Sequence, residues 1–283
     1  MSKADLHMHS TASDGGYSPS ALMTKCKEAG LSIVSLTDHD TTDGLQEAKE
    51  TADFLDIHVI NGIELSTKSP VSNKSVHMLG YGFNTNDSYF QSALEEQRRL
   101  RKRRLHVILD KLNKAGMPIE AEDVLKHTDG GSIGRPHVAK ALMEKGYVEE
   151  VGEAFDRYLG EGKPCFVGKE KEFTPQEAIE LIHHAGGQAV VAHPVYYEID
   201  EEIETWILDY YLDGVEVYHR DHDLDAVHHY EELVAKWEKA AGRPLIRTGG
   251  SDFHHEEYGR KREPLGHTTV PLTLAKQLIE VIS

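Results

Sequence analysis

The chain is poor in cysteine. Cys26 and Cys165 are the two among 283 residues, and their spacing matches no metal or redox motif. That excludes a disulfide framework and makes a reducing compartment, the cytoplasm, the expected setting. Long apolar runs are also missing, since none approaches the ~20 residues that cross a bilayer. Asp5 and His7 come too early for a signal peptide, so neither export nor membrane attachment is expected. Positive charge is scarce: 31 Lys and Arg stand against 48 Asp and Glu, a formal net charge of −17. A broad nonspecific nucleic-acid surface is thereby disfavoured, because phosphate contacts need a basic face, although a local basic site is not. Solenoid-period repeats and low-complexity segments are absent as well.

What the chain does have is histidine, 18 in all, placed where hydrophobic runs stop. Seven short runs read as strands: Ala4-Leu6, Ile33-Leu36, Ile57-Ile63, Val76-Tyr81, Ala189-Ala192, Gly214-Val217 and Leu245-Thr248. Helical patterns lie between most of them. Three of these end in Ala29-Gly30, Ala185-Gly186 and Ala241-Gly242, with glycine supplying the left-handed residue after the helix. Repeated strand–helix units imply an α/β fold with a parallel sheet, and seven of them favour a barrel. Residues 84–162 break the rhythm with helices alone, at about 91–115, 120–127, 136–145 and 149–158. The expected organisation is a discontinuous barrel, 1–83 and 163–283, with 84–162 as an all-helical insertion.

His7 and His9 close the first run, and residues i and i+2 of a strand face one side. Asp38 and His39 close the second, Glu64 the third and His193 the fifth. His77 stands near the start of the fourth, Glu216 lies within the sixth, and Asp252 and His254 follow the seventh. In α/β barrels the C-terminal strand ends carry the active site. Any single histidine is ordinarily a satisfied core or surface residue. That reading fails for all the strand ends at once, because unpaired buried polar groups cost about 1–3 kcal/mol each. Metal accounts for them, and a mixed imidazole–carboxylate set suits Mn, Fe or Zn better than Ca or Mg.

In combination these strings resemble the PHP (polymerase and histidinol phosphatase) superfamily. The matches are Asp5-Leu6-His7-Met8-His9-Ser10, Ser13-Asp14-Gly15, Leu36-Thr37-Asp38-His39-Asp40, Gly62-Ile63-Glu64, His77-Met78-Leu79-Gly80-Tyr81, Ala192-His193-Pro194, Gly214-Val215-Glu216-Val217-Tyr218 and Gly250-Ser251-Asp252-Phe253-His254. The resemblance implies a distorted seven-stranded, TIM-like barrel and two or three divalent ions, Mn first. His7, His9, Glu64 and Asp252 would hold one ion. Glu64, His77 and His193 would hold a second, and Asp14, His39 and His254 a third. Many members have His where Asp14 stands, and the Ser-Asp-Gly form resembles the branch acting on nucleotides.

Three divalent ions bring six positive charges against three from Asp14, Glu64 and Asp252. The excess suits a phosphate dianion, attacked in line by a hydroxide held between two metals. Asp38 is expected to orient His39 or shuttle a proton, and Glu216 to pair with a barrel neighbour. His219, His222 or solvent would protonate the leaving group. The string Ile133-Gly134-Arg135-Pro136-His137 places Arg135 and His137 at a helix start, favourable for an anion. It resembles the PHP branch whose helical insertion binds nucleotides, with hydrolysis of nucleoside 3′,5′-bisphosphates or of short 5′-phosphorylated RNA from the 5′ end. The insertion would be a lid. Arg135, His137 and His222 would contact substrate, with Lys163 as a further contact where the chain re-enters the barrel. The basic run Arg98–Arg104 reads mainly as a solvated helix face. Two alternatives are histidinol-phosphate phosphatase, which needs no such lid, and a binding module, which would not need its ligands intact. Metal-dependent deacylation fits the positive excess poorly. No protein partner is implied.

Overall fold

The computed structural model describes residues 3–127, 133–168, 170–257 and 262–283. All seven apolar runs form strands: β1 (Lys3–Asp5), β2 (Leu31–Leu36), β3 (His58–Lys68), β4 (Ser75–Tyr81), β5 (Gln188–Val191), β6 (Gly214–His219) and β7 (Ile246–Gly250). They form one sheet in sequence order. Residues just beyond β1 nearly close it into a barrel. Leu6 N–H donates to Gly249 O at 3.0 Å, and His9 N–H to Phe253 O at 2.9 Å.

The expected parallel sheet needs one correction. β4 runs antiparallel to both β3 and β5. Six residues, Ser69 to Lys74, join β3 to β4. A parallel crossover needs a dozen or more, so this connection can only be a hairpin. The reversal matters for the site, because the start of β4, where His77 lies, comes to the barrel's C-terminal face. β3 is also longer than expected. Glu64 does not end it but sits mid-strand, beside the point where β2 has stopped, bridged to His39 and opposite Leu79.

The described helices are α1 (Pro19–Glu28), α2 (Leu45–Leu55), a 27-residue α3 (Ser88–Lys114), α4 (Ala121–Leu125), α5 (Arg135–Glu144), α6 (Val151–Ala154), α7 (Pro175–His184), α8 (Asp200–Asp209), α9 (Leu224–Ala241) and α10 (Leu272–Ile282). The expected helix at 149–158 is a short α6 continued by a π turn, Phe155–Leu159. Glycine follows α1, α7 and α9 in left-handed conformation, at φ 76°, 79° and 66°. None of the described helices is long and apolar enough to cross a membrane.

Three apolar clusters organise the packing. One lies between strands and outer helices. A second fills the lower barrel, where Leu6, Tyr81, Val190 and Ala192 meet Ala275 and Leu278 of α10. The third is drawn from residues 105–165, including Leu105, Leu112, Val138 and Leu142. Phe90 and Leu94 pack into the first cluster and Leu105 to Leu112 into the third, so α3 serves both. Burying each such side chain contributes about 1.5–3 kcal/mol.

Candidate metal centre

The upper barrel, in contrast, is filled with imidazoles and carboxylates. Glu64 is 1% exposed and meets five rings. Its Oε2 lies 3.4, 3.2 and 3.1 Å from His7 Nε2, His9 Nε2 and His39 Nδ1. Its Oε1 lies 2.8 and 3.0 Å from His77 Nδ1 and His193 Nε2. Asp252 Oδ1 stands 3.5 and 3.1 Å from His7 Nε2 and His9 Nε2. Asp14 Oδ1 stands 3.2 Å from His254 Nε2.

Backbone features bring these groups in. Gly250 passes so close to β1 that a Cβ there would lie 2.4 Å from His7 N and 2.6 Å from Asp5 Oδ1. Asp5 in turn accepts from Ser251 N and Oγ at 3.0 and 2.6 Å, locking the last strand to the first. His193 and Asp252 hold left-handed backbone at φ 27° and 47°, strain of the kind that concentrates at functional sites.

Several rings have fixed tautomers. Glu216 Oε1 accepts from His7 Nδ1–H at 2.9 Å, and Glu216 Oε2 accepts from His193 N–H at 2.7 Å. The Asp252 carbonyl accepts from His254 Nδ1–H at 3.0 Å. In neutral His7 the inward Nε2 is therefore a lone pair aimed at carboxylate oxygens, which are themselves lone pairs. His7 Nε2, both ring nitrogens of His9, His39 Nδ1 and Glu64 Oε2 are buried without a hydrogen-bond partner. Only a cation reconciles them. Protons are one answer: the surrounding carboxylates hold His7 well above the ordinary imidazole range and raise His9 to about 10, against the opposing effect of burial. Metal ions are the other, and the donor set fits them.

Three ligand groups have donor atoms within 4.8 Å of one another: His7, His9, Glu64 and Asp252; His9, Asp14, His39 and His254; and His39, Glu64 and His77. All nine residues expected as ligands lie in this cluster or against it. His39 stands between two groups, where the family pattern gave it one. His193 touches Glu64 but lies outside the tight third group. His9 belongs to two groups, with its Nδ1 4.0 Å from Asp14 Oδ1 and its Nε2 3.1 Å from Asp252 Oδ1.

The other expected residues fall differently. Asp38 touches no ring nitrogen of the centre. It accepts from Ser10 N, Ser10 Oγ and Ser13 Oγ at 2.7, 2.7 and 2.6 Å, bracing the loop that carries His9 and Asp14. Burial raises its pKa. His222 donates from Nδ1 to Val217 O at 2.7 Å and stacks on Tyr230. Burial lowers it to about 4, so its Nε2 is an acceptor near neutrality rather than an acid. His137 Nδ1 accepts from Gly134 N at 3.0 Å, which puts the proton of the neutral ring on Nε2. Burial lowers it to about 4, opposed by the Asp14 carboxylate and the Ser13 backbone. Arg135 donates to Leu159 O at 3.1 Å, with its guanidinium 5.7 and 5.3 Å from the Phe155 and Phe166 rings. Lys163 is exposed. Within the basic run, Arg101 departs from the solvated reading: its charge, 13% exposed, pairs with buried Asp40 and reaches Ser66 and the Ile133 carbonyl.

A cavity of about 550 Å³ opens onto the cluster. Its described lining includes His39, Glu64, His77, Asp252, Tyr196 and Arg220, and neither Arg135, His137 nor His222. Sequence reasoning missed Tyr196 and Arg220. The available signal was their place just past the C-terminal ends of β5 and β6.

A PHP domain model matches residues 5–242. A 5′-3′ exoribonuclease of Haemophilus influenzae is 38% identical over 256 residues, covering 89% of this chain and 90% of that protein. A 3′,5′-nucleoside bisphosphate phosphatase of Chromobacterium violaceum is 32% identical over 273 residues, covering 95% and 92%. Among solved structures, a Bifidobacterium adolescentis protein assigned to the metal-dependent phosphoesterases superposes with a TM-score of 0.86 at 28% identity, covering 98% and 96%. Barrel, ligand cluster and relatives agree: the chain belongs to the PHP domain family and is a metal-dependent phosphoesterase.

Proposed function

We propose that this protein hydrolyses phosphate esters of nucleotides, either nucleoside 3′,5′-bisphosphates or short 5′-phosphorylated RNA, in the cytoplasm. The observation that carries the reading is the cluster around Glu64, five imidazole nitrogens within 3.4 Å of one carboxylate. Such a donor set would hold two or three divalent ions, Mn first. His7, His9, Glu64 and Asp252 would take one, Glu64, His77 and His193 the next, and Asp14, His39 and His254 the third. Bound there, the ions would activate water and neutralise the phosphate charge. The names of two relatives, an exoribonuclease and a nucleoside bisphosphate phosphatase, support the substrate class.

The chain's own residues supply the rest. Glu216 orients His7 and the His193 backbone, and Asp38 braces the Ser10–Ser13 loop. Residues 84–162 act as a lid over the barrel formed by 1–83 and 163–283. At the start of α5, His137 borders the Asp14 loop, and Arg135, backed by Phe155 and Phe166, would add positive potential for a nucleotide phosphate from outside the described cavity wall. His222 supplies an acceptor beside the site. Two buried free cysteines, Cys26 and Cys165, sit well with a reducing compartment.

Phosphate release with Mn tests the proposal on adenosine 3′,5′-bisphosphate, a short 5′-phosphorylated RNA and histidinol phosphate in parallel. The nucleotides should be turned over faster than histidinol phosphate, and the reverse order rejects the reading. In the same assay Arg135→Ala should lose more activity on nucleotides than on a small generic ester. Equal losses would sink the lid.

A further inference from the structure

The proposed reaction leaves one strongly charged group in the cavity without a task. Arg220 directly follows β6 and is the one arginine or lysine among the described residues lining the cavity. It is 5% exposed, so it is not a surface charge. Holding a guanidinium at that depth is costly unless anions face it. Beside it, Tyr196 ends the turn Pro194–Tyr196 and keeps 38% of its surface open. The Tyr196 ring stands 5.1 Å from His193 and 5.8 Å from His219, and its hydroxyl donates to the Asp221 carboxylate. That bond fixes the ring at the cavity wall.

We infer that Arg220 and Tyr196 form a substrate subsite, Arg220 taking a second, non-scissile phosphate and Tyr196 offering its ring face to the base. The assignment rests on the phosphoester reading above and adds where discrimination between one and two phosphates lies. The electrostatics favour this wall. A substrate phosphate beyond the reacting one would meet Asp221, Asp252 and Glu64, three carboxylates of the same lining. A guanidinium among them offsets that repulsion and presents parallel N–H donors that match phosphate oxygens. The cavity has room, since small-molecule sites span roughly 300–1,000 Å³. Stacking on an aromatic face tolerates any base. Arg135, by contrast, is engaged with Leu159, Phe155 and Phe166 and does not line the cavity.

The test compares Mn-loaded wild type, Arg220→Gln and Arg220→Lys on adenosine 3′,5′-bisphosphate and p-nitrophenyl phosphate. Arg220→Gln should lose ~30-fold more kcat/KM on the bisphosphate than on the nitrophenyl ester, mainly through KM, the size expected of a charge-assisted contact. Arg220→Lys should recover part of the loss, because the charge remains. Tyr196→Ala should raise KM for the nucleotide and not for the nitrophenyl ester. Metal content, measured by emission spectroscopy, should match wild type in each variant. Equal losses on both esters, or no loss, overturn the subsite. If Arg220→Gln does not fold, the Arg220→Lys ratio decides by the same criterion. If wild type turns over no nucleotide, the nucleotide reading falls. Fructose 1,6-bisphosphate against glucose 6-phosphate then tests Arg220 separately: a two-phosphate preference lost with Arg220 supports the subsite, and no such dependence rejects it.

Discussion

Glu216 does not join any of the three ligand groups, yet His7 of one group and His193, which touches Glu64 beside them, depend on it. One oxygen fixes the His7 tautomer and the other holds the His193 backbone. Removing such a partner usually costs 10–100-fold in metal affinity or activity. Glu216→Gln keeps the shape but can offer only one acceptor oxygen. Metal titration of this variant should show affinity about 10–100-fold weaker, with the fold intact by circular dichroism. At this scale Asp14 came from the family resemblance alone, while most of the proposed ligands were legible because His7, His9, His39, Glu64, His193, Asp252 and His254 stand where a hydrophobic run stops. The role of Glu216 was not, because it depends on β5 lying beside β6 and on β7 returning to β1. Arg220 was hidden for another reason. Between His219 and Asp221, one arginine reads as a polar turn.

Among the elements, β1 and β7 meet through a glycine. A side chain at Gly250 would have to displace the His7 backbone or the Asp5 carboxylate. Gly250→Ala should therefore cost ~3 kcal/mol by overpacking and loosen His7 and Asp252 together. Urea denaturation and bound-metal stoichiometry would both register it, and an unchanged midpoint would refute the close approach. Strand number and the three glycine-stopped helices were readable from apolar runs and Ala-Gly endings. The direction of β4 was not read, although its signal lay in the linker, because six residues cannot carry a parallel crossover. The end of β3 was misplaced because its apolar run stops at Ile63, while pairing with β4 carries the strand to Lys68.

For the whole molecule, pH exposes how many histidines are buried neutral. His137 and His222 are held near 4 by burial, against an ordinary value of 6.5. Between pH 6.5 and 4 the unfolded chain takes up protons that these folded rings refuse. Stability should fall as pH falls through that window, by up to about 3 kcal/mol per ring. Replacing His222 with Asn should make the loss shallower when urea midpoints at pH 7 and 5 are compared in chelator. A slope equal to wild type would show that the ring is already charged in the fold. Composition bears on this scale least directly. A net charge of −17 does not reveal that imidazoles and carboxylates converge at one barrel mouth.

Helix α3 gives that mouth a mechanical property. Its first half is clamped among barrel side chains at Phe90 and Leu94, and its second half is the spine of the packing around Leu105 to Leu112. Arg101 sits at the joint, gripping Asp40 and Ser66 of the barrel and the carbonyl of Ile133 before α5. A single stiff beam thus spans both clusters, with a latch at its fulcrum. Any tilt of the outer helices becomes a torque on Asp40, the residue next to His39. The third apolar cluster and the loop that carries His39 are joined through this one helix.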